Sequence, residues 1–445
     1  MDLLTVSLLD SLPPADSLPI VKQAVDSTLF HELKNSMDQA EYRSNNLWVV
    51  FASTLLFLMI LGFACLETGL TRSKNAANVL FKYTLIPGIA LLTFIGWGYN
   101  LMYPEACFPG GFVGKFRWGI EMPSEGVHPN NNYSFWTFIL YQALLIAIST
   151  CIISGAMAER IRIRALILYC LLFTGLVYPI VGMWHWGGGW LTQYLTPEFY
   201  DFSGASLVHM VGGCAALVGA AMLGPRIGKY SDEKIMPIMG HNIPIAGIGL
   251  FLLWLGWIGF TGGSVMSSNP EKLSYVILTT FVSGIAGCSG AFLISYSINR
   301  THDITMLMNG ILAGLVAISA SADIMNPLES FIIGFIAGLF VVFSVLLFDK
   351  LKIDDPVGAV SVHFMCSIWG ILAVGIFGPR ASKEQFISQL LGCASIVLTV
   401  SILSFIILFF LRKTVGLRVS PKQELEGLDI NKHGMKAYNQ DGENN

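Results

Sequence analysis

The chain has 445 residues, of which 54% are hydrophobic and only 12% are charged, and its mean hydropathy is +0.63. A soluble globular chain carries about 25% charged residues, so this composition excludes an ordinary soluble protein. It indicates an all-α, polytopic membrane protein. The net charge of −3 argues against a nucleic-acid partner, and the 45 glycines are expected where membrane helices pack through small residues.

Residues 1–45 are mostly polar, and no basic stretch precedes their apolar patch, so we predict no signal peptide. Beyond them the chain contains eleven apolar runs, each long enough to cross a bilayer as a helix of about 20 residues. These predicted transmembrane helices cover approximately 46–70, 79–103, 134–157, 164–186, 202–224, 244–265, 273–298, 304–322, 328–349, 359–378 and 386–411.

The basic residues predict the direction of these helices, because cytoplasmic loops carry an excess of Lys and Arg. One set of alternate loops, together with the tail, holds most of them; Arg160, Arg162 and Arg164 share one such loop. This bias predicts an N-terminus outside the membrane and a C-terminal tail, from about Arg412, inside.

Two stretches of the chain share the pattern D-x-x-G-A-x-x-V-H, at Asp201 to His209 and at Asp355 to His363. If the helix began at the Asp, a rise of about 1.5 Å per residue would place each His roughly 12 Å further in. Half of the hydrocarbon core is about 15 Å thick. Each imidazole is therefore predicted near the centre of the membrane, where an ionisable group is a functional-site hypothesis by default.

The position of the two copies predicts an inverted repeat. The first His falls on the fifth predicted helix and the second on the tenth, so an odd number of helices separates the copies and reverses their direction. Such repeats place their substrate site near the midplane. The predicted organisation is an extracellular segment (1–45), a first five-helix repeat (46–224), a cytoplasmic linker (225–243), a second five-helix repeat (244–378), a final helix (386–411) and a cytoplasmic tail (412–445).

Two midplane histidines permit three interpretations. His209 and His363 can form a proton relay or a polar line for a small solute, they can be a satisfied structural pair, or they can bind a metal. A metal site needs more ligands than two His, and the spacing offers no third ligand, so we expect neither metal nor cofactor. Asp201 is predicted to cap the fifth helix, and its charge would also favour a cation at the mouth of a pore.

Aromatic residues cluster near the outer ends of the predicted helices, among them Trp184, Trp190, Trp254 and Trp257. A belt of Trp at the membrane interface is common, so an anchoring role is expected for most of them. The eight scattered cysteines form no C-x-x-C pair, and we predict no disulfide framework.

Several motifs, taken in their order and spacing, resemble the Amt/Rh family of ammonium transporters, and its Amt branch more than its Rh branch. Besides the two histidine repeats they are G-L-x-R-x-K-N at 69–75, G-A-M-A-E-R at 155–160, W-G-G-G at 186–189, G-F-T-G-G-S at 259–264 and the tail motifs between 416 and 438. The resemblance covers roughly residues 40–440.

The resemblance implies a transporter rather than an enzyme. It implies that helices 5 and 10 bring His209 and His363 together in a narrow hydrophobic pore. Trp186, Phe260 and Ser264 would bind ammonium at an outer site, with Asp201 stabilising its charge from behind. The family forms homotrimers in the cell membrane, and its cytoplasmic tail couples protomers and binds regulators.

One departure from the family concerns the outer gate. Leu145 occupies the place of a gating Phe on the third helix, and Tyr141 lies one turn earlier. We therefore expect an outer gate of Tyr141, Leu145 and Phe260. Leucine has no π face, so either cation binding is weaker or Tyr141 substitutes for the missing ring.

The predicted function is transport of ammonium, which binds outside as NH4⁺, loses a proton and passes the histidines as NH3. The proton either crosses by a linked polar path or returns outside. The alternative is an ammonium sensor with the same fold and little conduction; Leu145 favours it, and a tail without an appended signalling domain argues against it. A membrane metalloenzyme is a distant third interpretation.

Overall fold

The computed structural model describes residues 27–121, 123, 132–231 and 234–438, so the predicted outer segment at 1–26 lies outside the described residues. Apolar helices dominate this part of the chain. They are α1 (Ser27–Leu70), α2 (Ser73–Met102), α3 (Phe135–Ala156), α4 (Ile163–Gln193), α5 (Ala205–Leu223), α6 (Ile243–Gly262), α7 (Pro270–Asn299), α8 (Ile304–Ile318), α9 (Pro327–Lys350), α10 (Val360–Ala373) and α11 (Lys383–Thr414).

In the described ranges, nine of these helices are long and apolar enough to cross a membrane, while α8 and α10 are shorter. The first helix begins earlier than predicted, at Ser27 rather than near residue 46, and its residues 30–41 are exposed. A short hairpin, β1 (Tyr230–Ser231) with β2 (Lys234–Ile235), lies in the linker between α5 and α6. The tail adds α12 (Pro421–Glu426) and a π-helical turn at Asp429–His433.

Several helices begin where a polar side chain accepts their first free backbone N–H groups. Asn242, Asn269, Asp303, Asn326 and Ser382 do so for α6, α7, α8, α9 and α11. Such a cap typically stabilises a helix by about 1 kcal/mol, and it explains why these helices begin where the polar loops end.

The helix that carries His209 begins later than the sequence predicted, and this is a correction, whereas α10 begins at Val360, within one residue of its predicted start. Asp201 to Gly204 form a loop, with Gly204 at φ +102°, and α5 begins only at Ala205. Left-handed backbone of this kind favours glycine. The path from Asp201 to His209 is therefore not a continuous helix, and the predicted separation of roughly 12 Å along a helix axis does not apply.

Helices in equivalent places of the two predicted repeats pack against each other. α1 packs along α6, and the starts of α5 and α10 are in contact. Neighbouring pairs also match, because α2 packs on α3 and α7 packs on α8. The buried core lies between these helices and encloses both histidines, which are 0% and 3% exposed.

A buried charge network lies at the ends of α3, α5 and α10. Arg226 donates from Nε to Asp354 Oδ2 at 2.8 Å, and its Nη1 lies 3.6 Å from Glu159. Burial alone would raise the pKa of Asp354, but the hydrogen bonds and charge of Arg226 hold it at about 2. Removing one partner of a buried pair leaves an uncompensated charge, so the network holds these loops in one arrangement.

Candidate functional site

The two repeated histidines lie on π-helical segments at the starts of their helices. His209 lies within Ala205–Met210 of α5, and His363 lies within Val360–Met365 of α10. π-Helical turns are rare and occur frequently at functional sites. Phe260 lies on a third such segment, Ile258–Gly262 of α6.

The structure brings the two imidazoles into direct contact. Nδ1 of His209 and Nδ1 of His363 are 3.1 Å apart, and the ring centroids are 5.0 Å apart at an interplanar angle of 19°. For this contact to be a hydrogen bond, one Nδ1 must carry hydrogen and the other must be bare. The pair therefore suits the relay or polar line that the sequence predicted, since it presents one donor and one acceptor at its two ends.

Aromatic rings enclose the pair. The Trp257 ring stacks on His209 with centroids 5.2 Å apart, and the Phe260 ring lies 5.1 Å from the same imidazole. On the other side, the Phe63 ring of α1 lies 5.8 Å from His363. The expected anchoring role is wrong for Trp257, which is 0% exposed and donates from Nε1 to Ser319.

A cavity of about 730 Å³ lies around Trp186, at the end of α4 that the sequence predicted to face outward, and we call it the outer cavity. Trp186, Ser264 and Tyr141 are among its lining residues, together with Gln142 and Glu105. Its aromatic faces and the Glu105 carboxylate offer favourable surroundings for a cation. Two of the predicted ammonium-binding residues, Trp186 and Ser264, therefore lie in one cavity.

Phe260 links the wall of this cavity to the histidine pair. It is fully buried, and its ring contacts His209. Its carbonyl oxygen accepts hydrogen bonds from Tyr141 Oη at 2.8 Å and from Ser264 Oγ at 2.8 Å. The predicted gate residue is thus held by two predicted site residues.

The Asp201 carboxylate accepts the free N–H groups at the start of α5, as predicted, although the residue at the N-cap position is Gly204. The carboxylate accepts from the backbone N–H groups of Gly204, Ala205 and Ser206 at 2.8–3.1 Å and from Ser206 Oγ at 2.5 Å. Asp201 is buried and does not line the outer cavity. Its backbone carbonyl accepts from Trp186 Nε1 at 3.3 Å, which links the cap to the cavity wall.

Asp355 repeats this arrangement at the start of α10. Its Oδ2 accepts from the N–H groups of Val360 and Ser361, each at 3.0 Å, while Oδ1 is buried without a partner among the described residues. Burial raises the pKa of Asp355 to about 6. The two caps therefore differ, because only Asp201 has both carboxylate oxygens hydrogen-bonded.

Leu145 lies one turn deeper on α3 than Tyr141. It is fully buried and is not among the residues that line the outer cavity, where Phe138, Tyr141 and Gln142 represent α3. Phe138 and Tyr141 therefore supply the aromatic rings of α3 in the cavity, and the gating role of Leu145 stays a prediction.

Sequence reasoning missed a buried polar cluster of Glu67, Lys82 and Tyr83. Glu67 and Lys82 form an ion pair with an N–O distance of 2.5 Å, and each side chain is 1% exposed. The signal was present, since both charged residues fall inside predicted membrane helices. In the described ranges, no three His, Cys, Asp or Glu side chains are placed to hold a metal ion.

Comparison with known proteins agrees with this geometry. The model of the Ammonium Transporter Family matches residues 47–438. The chain is 35% identical to the ammonium transporter Amt2 of Archaeoglobus fulgidus, over 88% of this chain and 87% of that protein. It is 32% identical to the ammonium transporter of Aquifex aeolicus, over 89% of this chain and 93% of that one.

Solved structures show the same relationship. The structure of a protein named Sensor Amt Protein superimposes with a TM-score of 0.82 at 32% identity, covering 88% of this chain and 99% of that chain. Candida albicans Mep2, at 24% identity and a TM-score of 0.77, shares the fold. Together with the extent of the family match, these likenesses establish that the chain belongs to the ammonium transporter family.

Proposed function

We propose that this transporter moves ammonium through a path between α5 and α10, binding NH4⁺ at the outer cavity and passing NH3 along the two histidines. The single observation that carries the proposal is the Nδ1–Nδ1 contact of His209 and His363 at 3.1 Å. This buried polar contact lies among aromatic rings and is connected through Phe260 to the wall of the cavity lined by Trp186 and Ser264.

Binding takes place at the outer cavity. Trp186 offers a π face to NH4⁺, worth about 0.5–2 kcal/mol, and the Ser264 hydroxyl offers an oxygen acceptor. The Asp201 carboxylate lies behind Trp186 and attracts the cation without touching it, since its own oxygens are occupied by the α5 cap. Phe260 blocks the way inward and must move for each passage.

Deprotonation solves the problem of selectivity. Moving an intact cation through an apolar passage costs many kcal/mol, and this penalty applies to K⁺ as it does to NH4⁺. Only ammonium can give up a proton and continue as a neutral molecule. NH3 can then donate to and accept from the imidazoles as it passes.

The histidine pair can also carry the proton that ammonium loses. A proton that binds Nε2 of His209, which has no hydrogen-bond partner among the described residues, makes that ring cationic. The hydrogen on its Nδ1 then transfers to Nδ1 of His363, and His363 releases the hydrogen on its own Nε2. One proton enters and one leaves, so the step is balanced and charge moves inward.

The wider architecture follows the same proposal. All eleven apolar helices cross the cell membrane, with the N-terminus outside and the tail in the cytoplasm, and α1–α5 and α6–α10 form inverted repeats. The packing of α1 on α6 and of α5 on α10 supports this symmetry. The functional unit is a homotrimer with one path per protomer, and the docked tail is the site of a cytoplasmic regulator.

Purified protein in liposomes tests the proposal. An ammonium jump should evoke an inward current or a rise of internal pH, and a K⁺ jump should evoke neither. A K⁺ current of similar size, or no response to ammonium of either kind, would overturn it.

A sensor with little conduction is the second candidate, since a structural neighbour at 32% identity is named Sensor Amt Protein and Leu145 replaces a gating Phe. It predicts that ammonium evokes neither current nor pH change but does alter the protease sensitivity of the tail. Measurement of both quantities on the same preparation separates the two functions.

A further inference from the structure

We infer that Glu67 is the proton acceptor on the inner side of the histidine pair, reached through the hydroxyl of Tyr83 and held as a carboxylate by Lys82. This inference rests on the proposed function and assigns the inner end of its proton path.

The cluster is built around the Glu67 carboxylate at the inner end of α1. Lys82 Nζ donates to Oε1 at 2.5 Å. The hydroxyl of Tyr83 donates to Oε2 at 2.8 Å, and that of Ser154 donates to the same oxygen at 3.3 Å. Both carboxylate oxygens therefore face donors, and Oε2 is the one that faces hydroxyl groups.

Burial gives this ion pair a large unfavourable desolvation free energy. Both side chains are 1% exposed, and desolvation of such a pair often outweighs its internal attraction. Ionisable groups inside membrane helices are rare and commonly mark ion or proton pathways. An apolar pair of similar volume would pack between α1 and α2 with no such penalty, so packing alone does not explain these residues.

The cluster and the histidine pair share a cavity. Glu67, Tyr83 and His363 all line a cavity of about 10 Å³, which is close to the smallest volume that holds one water molecule. Phe63, one turn before Glu67 on α1, contacts the His363 ring at 5.8 Å. The cavity therefore has room for one water molecule between His363 and the cluster.

The proton passes from His363 to Glu67 through the cavity water and the hydroxyl of Tyr83. The Nε2–H bond of His363 breaks and a new O–H bond forms on the cavity water, which passes one of its own protons to Tyr83 Oη. The original hydroxyl proton of Tyr83 moves to Oε2 of Glu67, which becomes a neutral acid. Lys82 then lacks its counter-charge, so the neutral state is unfavourable and the proton leaves quickly towards the cytoplasm.

None of the other groups around Glu67 is suited to be the proton acceptor in its place. Lys82 and Tyr83 face Glu67 from α2, Ser154 and Cys151 face it from α3, and His363 faces it from α10. Among these, only Glu67 is a carboxylate that accepts three side-chain donors. Lys82 is a positioning residue, because it acts through Glu67.

Two charge-removing variants, Glu67→Gln and the double variant Glu67→Gln with Lys82→Met, test the inference. The double variant removes both charges, so it leaves no unpaired ion in the core. In liposomes, we expect the ammonium current of both to fall at least about tenfold, because a positioned acid–base group typically contributes 10²–10⁴-fold. Internal alkalinisation by NH3 should persist in both. Glu384→Gln, at an exposed position on α11, is the matched control and should behave like the wild type.

The currents of these variants decide whether the inference that Glu67 accepts the proton is right. A folded double variant with wild-type current overturns it. If the wild-type protein raises the internal pH but carries no current, the inference about Glu67 is wrong and the proposed function still holds. If the wild-type protein produces neither a current nor a pH rise, the proposed function itself is wrong. If both variants fail to fold, Tyr83→Phe decides: current reduced severalfold with unchanged alkalinisation supports the inference, and unchanged current overturns it.

Discussion

His209 and His363 meet through the same ring atom, Nδ1, at 3.1 Å, so neither imidazole can change its tautomer without the other changing too. Each ring comes from a different copy of the D-x-x-G-A-x-x-V-H pattern, and each lies on a π-helical segment preceded by an aspartate cap. The contact ties the two halves of the chain at one point. It also makes the pair the natural place to test transport.

Replacement of either histidine by alanine should abolish the ammonium current. His209→Ala removes the ring that receives the proton, and His363→Ala removes the ring that releases it, so either change breaks the chain of exchangeable hydrogens. Current on solid-supported membranes measures the effect. His302→Ala, at an exposed position, is the control; a normal current in either pore variant would contradict the relay.

Trp186→Leu should weaken ammonium binding while leaving the maximal rate largely unchanged. Loss of one cation–π contact of about 0.5–2 kcal/mol corresponds to a rise of about 2- to 30-fold in the half-saturating ammonium concentration. The concentration dependence of uptake measures it. Trp118→Leu, at a Trp that is 67% exposed, is the matched control. An unchanged half-saturation in Trp186→Leu would show that Trp186 does not face the cation.

Asp355→Asn should flatten the pH dependence of stability. Burial raises the folded-state pKa of Asp355 from 3.8 to about 6, so the contribution of this group is favourable in acid and is lost as pH rises through that interval. Above it, the ionised form costs at most about 3 kcal/mol. Asparagine resembles the protonated acid, so it should gain stability relative to the wild type as pH rises.

Thermal unfolding in detergent from about pH 4 to pH 8 measures that difference. The gap between the variant and the wild type should widen up to about pH 7 and then stay constant, because the carboxyl is fully ionised by then. A gap that does not depend on pH would show that Asp355 does not titrate in this range.

Asp429→Ala should release the tail from the body of the protein. Its carboxylate accepts from the N–H groups of Ala77 and Asn78 at 3.0 and 2.8 Å, so the tail supplies a cap for α2. Loss of a cap costs about 1–2 kcal/mol, which predicts trypsin cleavage at Lys432 about 5- to 30-fold faster. Glu426→Gln, at an exposed position, should leave the cleavage rate unchanged; equal rates in both variants would contradict the docking role.

Gly427 shows why the tail docks in one way. It has φ +107°, and a Cβ placed there would lie 2.7 Å from both Cβ and the carbonyl oxygen of Lys74. Glycine alone fits this close approach, which lets Leu428 donate to Asn75 Oδ1 at 2.9 Å.

The amino-acid sequence by itself was enough to predict the helical membrane fold, because long apolar runs with few charges have no other stable form in a bilayer. It also identified His209 and His363 as a pair, since an ionisable residue repeated at one offset in two apolar runs is too specific for chance. The cap by Asp201 followed from ordinary helix chemistry.

The features that depend on contacts between distant segments of the chain became visible only in the tertiary structure. The loop at Asp201 to Gly204 moved the start of α5, because the carboxylate folds back onto the helix and Gly204 adopts φ +102°. Trp257 was predicted at the membrane interface, but in the structure it lies on the inward face of α6 and stacks on His209. Glu67 pairs with Lys82 only when α1 and α2 pack together. The cavity that Glu67 and His363 line forms only when α10 joins them. Local sequence patterns do not indicate such contacts.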